Sequence, residues 1–272
     1  MPRLISSPTP RDSTGRILSV TPASAGWKYV GFDVYALRAG ETLKNATGDR
    51  ETCLVLISGR ADVATKKNAW KNLGKRMSVF EKTPPYAVYV PNADEYAVTA
   101  LTDLELAVCT APGKGSYPAR VIGPDQMGVE DRGVETTTRH VINILPESEP
   151  ADSMLLVEVF TPNGNWSSYP PHKHDREALP EESFLEETYY FRVNPPQGFA
   201  MARVYTDDRS IDEALVVGDR EVVLVPRGYH AVAAPPGYEV YYLNVMAGPT
   251  RKWKFIDDPV HAWIRTAKTF VR

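Results

Sequence analysis

Cysteine is almost missing from this sequence: 272 residues hold two, Cys53 and Cys109, each inside an apolar run. That excludes a disulfide framework or a thiolate metal site, and both read as small buried hydrophobes. Long apolar stretches are missing too. No run approaches the ~20 residues that a membrane span requires, and the start, "MPRLISSPTPRDSTG", lacks the apolar centre of a signal peptide. Nor is there an excess of positive charge, since 31 Lys and Arg against 34 Asp and Glu leave 31 − 34 = −3. Nucleic acid and anionic membrane are therefore not expected partners. The one local basic cluster, "KKNAWKNLGKR" (66–76), reads as a solvated loop or edge. The expectation is a cytoplasmic protein.

Helical periodicity is scarce as well. One segment shows it, "DDPVHAWIRTAK" (257–268), where Asp258 can cap, Pro259 fits the first helical position, and Val260, Trp263, Ile264 and Ala267 share a face. Elsewhere 23 prolines and 18 glycines cut the chain into short pieces rich in Val, Ile, Tyr and Phe, such as "KYVGFDVYALRAG" (28–40) and "TCLVLISGRADVAT" (52–65). Short strands at regular spacing with turn signals predict an all-β protein of the sandwich or barrel kind. The same grammar returns in "SMLLVEVFTPNGNW" (153–166) and "DREVVLVPRGYHAVAAPPGYEVYYLNVMAG" (219–248). Between the halves lies a polar, glycine-rich connector with one strand candidate, "RHVINIL" (139–145). The division expected is an N-terminal β-barrel over 1–112, a connector over 113–151 and a C-terminal barrel over 152–272, with few short helices.

Histidine is also sparse, with five in the chain and none before residue 140, which makes "SSYPPHKHDRE" (167–177) conspicuous. Residues two apart on a strand face the same way, so His172 and His174 project side by side, with Lys173 on the other face and read as outside. In "EETYYF" Glu187 shares a face with Tyr189, and Glu186 takes the other. His230 follows a strand and a Pro-x-Gly turn. Three imidazoles and a carboxylate form a nitrogen/oxygen donor set that suits zinc, manganese, iron, cobalt or nickel, and leaves positions open for substrate. His261 and His140 read as structural. So do the five tryptophans, as core or interface, because no basic stripe accompanies them.

"HKH", a Glu opening an aromatic strand, and "PRGYH" resemble the two histidine motifs of the cupin superfamily, small β-barrels that bind a metal inside. The spacer "DREALPEESFLE" is longer than usual, and the second motif has one residue fewer between its Gly and its His. More closely, "YPPHKHD", "LEETYYFRVNPPQGFAMARVYTDDRSIDE" and "YYLNVMAGP" resemble the 5-deoxy-glucuronate isomerase family of inositol catabolism, bicupins related to the uronate ketol-isomerases. The likeness spans the whole chain. It implies two cupin-type barrels and an aldose–ketose isomerase that converts 5-deoxy-glucuronate to 5-dehydro-2-deoxy-gluconate. It also implies one divalent ion per chain, zinc slightly preferred, held by His172, His174, His230 and Glu187 (Glu186 being the adjacent alternative). The N-terminal half keeps the outline of these motifs without histidines. Asp94, Glu95 or Tyr96 stands at the histidine position, so that half is expected to hold no metal, and Glu51 reads as a solvated carboxylate at the start of a strand.

An isomerase must move a proton between adjacent carbons and hold the charge of an enediolate, which a site of net charge +1 favours. Candidates for the base are Glu186, Asp175, Asp207 and Tyr189. Asp207 and Asp208 fit equally well as turn formers. A sugar acid also calls for a cation opposite its carboxylate, and Arg203, then Arg192, are the candidates. The partner expected is thus a small sugar acid, with the chain in a homo-oligomer. The competing readings are an Fe(II) cupin oxygenase acting on a small polar substrate, and a sugar-binding bicupin without catalysis, which retention of three histidines argues against.

Overall fold

β-Branched and aromatic residues favour extended backbone, because their side chains pack well on a pleated surface. The computed structural model, which describes residues 3–267, is accordingly built of short antiparallel strands, with one four-residue α-helix, Pro22–Ala25, capped by Thr21. Among the described residues no helix is long and apolar enough to cross a membrane. The chain divides into two compact units: Pro8–Gly128 with Ile144–Leu155, and Val129–Asn143 with residues through Ser7 and from Leu156 onward.

The N-terminal unit has a six-stranded sheet in the order Arg120–Ile122, Ala87–Val90, Arg50–Ser58, Leu104–Pro112, Gly31–Leu37, Arg16–Val20. A four-stranded sheet holds Thr42–Ala46, Glu95–Ala100, Ala61–Thr65 and Ala69–Leu73. Leu54, Leu56, Val63, Val88, Val98 and Leu106 belong to one buried apolar cluster, drawn from both sheets. Cys53 and Cys109 are both buried, free, and opposite each other in the six-stranded sheet.

The C-terminal unit repeats the plan. A seven-stranded sheet runs Ile5–Ser6, Val222–Val225, Glu186–Asn194, Glu239–Ala247, Met154–Thr161, Arg139–Leu145, Gly128–Arg132. A five-stranded sheet runs Asp212–Val217, Ala200–Tyr205, Tyr229–Ala233, Trp166–Lys173, Ile256–Asp257. These are paired cupin-type sheets in each half, as the sequence motifs lead one to expect.

Four expectations need correction. Residues 113–151 carry not one strand but three, Arg120–Ile122, Gly128–Arg132 and Arg139–Leu145, each paired into a sheet. The segment 257–268, whose last residue lies outside the described range, is not a helix. Ile256–Asp257 is a strand, and a 3-10 turn spans Ala262–Thr266. Its apolar face has little to bury against, because Val260 is 74% and Trp263 50% exposed. Asp258 is turned to the Tyr205 hydroxyl at 2.6 Å, although it also accepts from the Val260 N–H. Within the basic cluster 66–76, Arg76 is buried rather than solvated, and donates from Nε to the Ile57 carbonyl at 2.8 Å and from Nη1 to the Thr83 carbonyl at 3.0 Å. Glu51 is not solvated either. It is fully buried and accepts from the Asp152, Ser153 and Met154 N–H groups and the Tyr89 hydroxyl, all at 2.6–2.7 Å.

Candidate metal centre

Pro170 and Pro171 lack the N–H groups a ladder needs, and the pairing of Trp166–Lys173 with Tyr229–Ala233 shifts register between Ser167 and His172. The shift sets His172 directly opposite His230, close enough for cross-strand contact. Gly228 makes the turn that leads into His230. Its φ is +92°, and a Cβ there would meet the Tyr205 carbonyl at 2.5 Å, so only glycine fits. His174 comes two residues after His172, on the same face.

The three imidazoles are buried, and ligand atoms from them all lie within 4.8 Å of one another. Each ring has its Nδ1 toward a backbone carbonyl: Pro170 at 3.4 Å for His172, Leu185 at 3.0 Å for His174, Gly228 at 3.2 Å for His230. Such contacts fix ring orientation and present Nε2 as the donor. Glu187 Oε2 sits 3.0 Å from His174 Nε2 and 3.3 Å from His230 Nε2. The latter contact lacks hydrogen-bond geometry, so His230 Nε2 is a buried polar atom without a hydrogen-bond partner among the described residues. A cation among these atoms satisfies it, and the donor set of three nitrogens and an oxygen fits a divalent first-row ion.

The electrostatics differ between the rings. Burial, followed by the His230 and His174 charges, keeps the His172 imidazole well below its ordinary pKa, in the neutral form that a ligand must have. Burial alone drives the Glu187 carboxyl upward, but the contacts with His174 and His230 outweigh it and hold it at about 2. Burial likewise opposes the charge on His174, and the bond to Glu187 outweighs it, raising its pKa.

Glu187, Tyr189 and Phe191 share the inner face of Glu186–Asn194, and in register beside them stand Met246, Asn244 and Tyr242. This face borders a cavity of about 330 Å³ that His172 and Glu187 also line. Tyr189 and Tyr242 both contact the Ser168 hydroxyl, at 3.0 and 3.3 Å. Trp253 and Phe255 supply apolar wall, and three arginines, Arg132, Arg139 and Arg265, face the same space.

Of the residues singled out for catalysis, only Tyr189 lines this cavity. Glu186 is buried on the opposite face of its strand, by the alternation that points Glu187 inward. Asp175 accepts from the Gly228 N–H at 3.0 Å and so ties the His230 turn to the strand after His174. Asp207 pairs with Lys173. That lysine does face away from the imidazoles, but it is buried rather than outside, between Asp207, Asp175 and the Tyr229 ring. Asp208 forms the expected turn, accepting from Thr206 and Ser210. Arg203 is half exposed and forks onto Asp212 at 2.9 and 3.2 Å, and Arg192 bonds Asp219 at 2.8 Å; neither lines the cavity. His140 bonds Asp131 at 2.9 Å, away from the cluster.

Ser168, Tyr242, Asn244, Trp253 and the three cavity arginines escaped the sequence reading. None carries a local motif. Only the outline "YYLNVMAGP", in which Tyr242 and Asn244 alternate onto one face, held a readable signal.

Fold and site together define a bicupin with three clustered histidines in its C-terminal half that could hold a metal ion. The match to known proteins narrows this: the chain belongs to the KduI/IolB family, whose model matches residues 4–264. It is 63% identical over 265 residues to a 5-deoxy-glucuronate isomerase of Geobacillus thermodenitrificans (strain NG80-2), covering 97% of this chain and 96% of that one. To a 5-deoxy-glucuronate isomerase of Bacillus subtilis (strain 168) it is 50% identical over 246 residues, covering 90% and 91%. The crystal structure of an IolB-like protein from Salmonella typhimurium LT2 superposes with a TM-score of 0.94 at 54% identity, covering 96% and 99%. An oxalate decarboxylase from Lactobacillus farciminis shares the fold alone, with a TM-score of 0.69 at 13% identity over 98% and 91% of the two chains.

Proposed function

We propose that this chain is a metal-dependent ketol-isomerase that converts 5-deoxy-glucuronate to 5-dehydro-2-deoxy-gluconate. The observation that carries the reading is identity of 63% over nearly the full length of both chains to a protein of that activity. The site's chemistry supports it. His172, His174, His230 and Glu187 are the residues that would hold one divalent ion, with zinc put ahead of manganese, iron, cobalt and nickel. When bound, such an ion supplies a Lewis acid for the adjacent carbonyl and hydroxyl of a hydroxyaldehyde.

The chain's own residues have the remaining work. The reaction moves one proton from the hydroxyl-bearing carbon to the former carbonyl carbon and a second from the hydroxyl oxygen to the former carbonyl oxygen, with no net redox change. Tyr189, with its hydroxyl 3.0 Å from Ser168 Oγ, is the candidate for handling the first of these, because it is the one earlier candidate at the cavity wall. Glu186, Asp175 and Asp207 are left to positioning. Trp253, Phe255 and the Val157 and Val159 side chains keep bulk water away from the reacting carbons. The N-terminal unit holds no ion in this reading and serves as support. The two buried free thiols fit a cytoplasmic enzyme.

The test is to incubate the metal-loaded protein with 5-deoxy-glucuronate under anaerobic conditions, without nicotinamide cofactor. Ketone should form with no change in redox state. Turnover that requires O₂ would replace the isomerase by the oxygenase reading.

A further inference from the structure

The three cavity arginines are not equivalent. Arg132 already pairs with Glu130 and lies over the Trp253 ring at 5.6 Å. Arg265 forks onto both oxygens of Asp257. Arg139 makes no ion pair or hydrogen bond with a carboxylate among the described residues, although the Glu130 that Arg132 holds is near enough to feel its charge. Its Nη1 donates to two backbone carbonyls, Thr137 at 3.1 Å and, weakly, Tyr169 at 3.5 Å, which pins one edge of the guanidinium. Burial, the largest cause, lowers its pKa against the pull of Tyr242 and Tyr189, with repulsion from Arg132 and Arg265 adding to it. An arginine stays charged even so. A charged group held at a cavity wall without a counter-ion costs free energy until an anion arrives.

We propose that Arg139 is the residue that binds the substrate's carboxylate, selecting sugar acids over neutral sugars, with Arg132 and Arg265 kept from that role by their own acids. The assignment rests on the isomerase reading for the identity of the acid, but not for the binding of a carboxylate as such. Nη1 is held by the backbone, which leaves the Nε and Nη2 edge for a ligand, and that edge matches the two oxygens of a carboxylate. Among the described residues Glu130 and Asp257 pair two of the three arginines and leave the charge on Arg139 unpaired, while Glu187, which also lines the cavity, faces His174 and His230 instead.

Two substrates and one non-reacting ligand test this. The substrates are 5-deoxy-glucuronate and the aldose in which its carboxylate is a hydroxymethyl group; the ligand is gluconate, measured by calorimetry. In Arg139→Met the kcat/KM preference for acid over neutral aldose should collapse by on the order of 10²-fold, as expected when a desolvated charge pair loses one partner. Most of the loss should fall in KM, gluconate binding should weaken alongside, and metal content should stay at the parent's level. Arg139→Gln, which retains an N–H donor for Thr137, separates binding from folding. It should show the same collapse, whereas a purely structural role would leave the preference intact. Arg132→Met should cost the preference far less. An unchanged acid preference and unchanged gluconate affinity in both Arg139 variants would overturn the assignment. If the parent fails to isomerise the acid while gluconate affinity still collapses in Arg139→Met, the isomerase reading falls and the anchor stands.

Discussion

Glu51 and Glu187 occupy the same place in two copies of one design. Each is the second residue of a nine-residue central strand, Arg50–Ser58 and Glu186–Asn194, and each strand pairs with another of nine residues, Leu104–Pro112 and Glu239–Ala247. Both carboxylates are buried. Their partners differ. Glu51 is saturated by three backbone N–H groups and the Tyr89 hydroxyl, and it ties the strand start to the segment 152–154. Glu187 faces two imidazoles across 3.0 and 3.3 Å. A buried carboxylate needs hydrogen-bond donors or cations around it. Donors fixed in the backbone make Glu51 a structural clasp, whereas imidazoles that can also ligate leave Glu187 in the candidate metal cluster. Position in the fold does not decide which role a conspicuous acid takes; what surrounds it does.

That contrast breaks first at the imidazoles. His230→Ala should strip the ion and lower turnover by on the order of 10³-fold or more, given the several kcal/mol an ion contributes to stabilising developing charge. Elemental analysis beside circular dichroism checks this, and full stoichiometry in a folded variant would remove His230 from the ligand set. Glu51→Gln should do the opposite. An amide turns donors toward donors, so stability should fall by ~2–4 kcal/mol and Tm by on the order of 5–10 °C. Metal content and kcat per folded molecule should be kept. Loss of metal there would make the N-terminal unit part of the chemistry.

A smaller effect separates the surface arginines from those in the cavity. Arg203→Ala removes a half-exposed pair with Asp212, worth about 0.2–1 kcal/mol, and should leave KM within about twofold of the parent. The least effect concerns acid. Burial opposes charge on Asp152, but bonds from Ser116, Lys114 and Gly115 outweigh it and depress its pKa. A carboxyl with a folded pKa below its unfolded value of about 3.9 stabilises the fold above that value and loses its contribution as pH falls through the folded pKa. Asp152→Asn should therefore lower Tm at pH 7, with the gap to the parent closing below about pH 4. A gap that widens in acid would contradict this.

The readable part of the site was its strand-borne part. His172 and His174 at a spacing of two, and Glu187 opposed to Glu186, follow from the alternation of side chains along extended backbone. The turn that carries His230 was legible too, because Gly228 adopts a conformation that a side chain forbids. The anchors proposed from sequence failed to reach the cavity for a related reason. Arg203 and Arg192 were placed by strand alternation, but alternation does not report which face meets an acid, and Asp212 and Asp219 claim them. The terminal helix was misread because a helical pattern stabilises a helix only when its apolar face has something to cover.

By itself the sequence determined the β architecture, its repetition in two halves, and the imidazoles and carboxylate that lie together in the second half, because these depend on local periodicity and backbone preference. Only the tertiary structure decided that Glu51 is a clasp, that Lys173 is buried, and that Arg139, alone of the three cavity arginines, has no paired carboxylate among the described residues. Those outcomes depend on which distant groups share a desolvated space, and pairwise partnership at long range leaves no mark on local sequence.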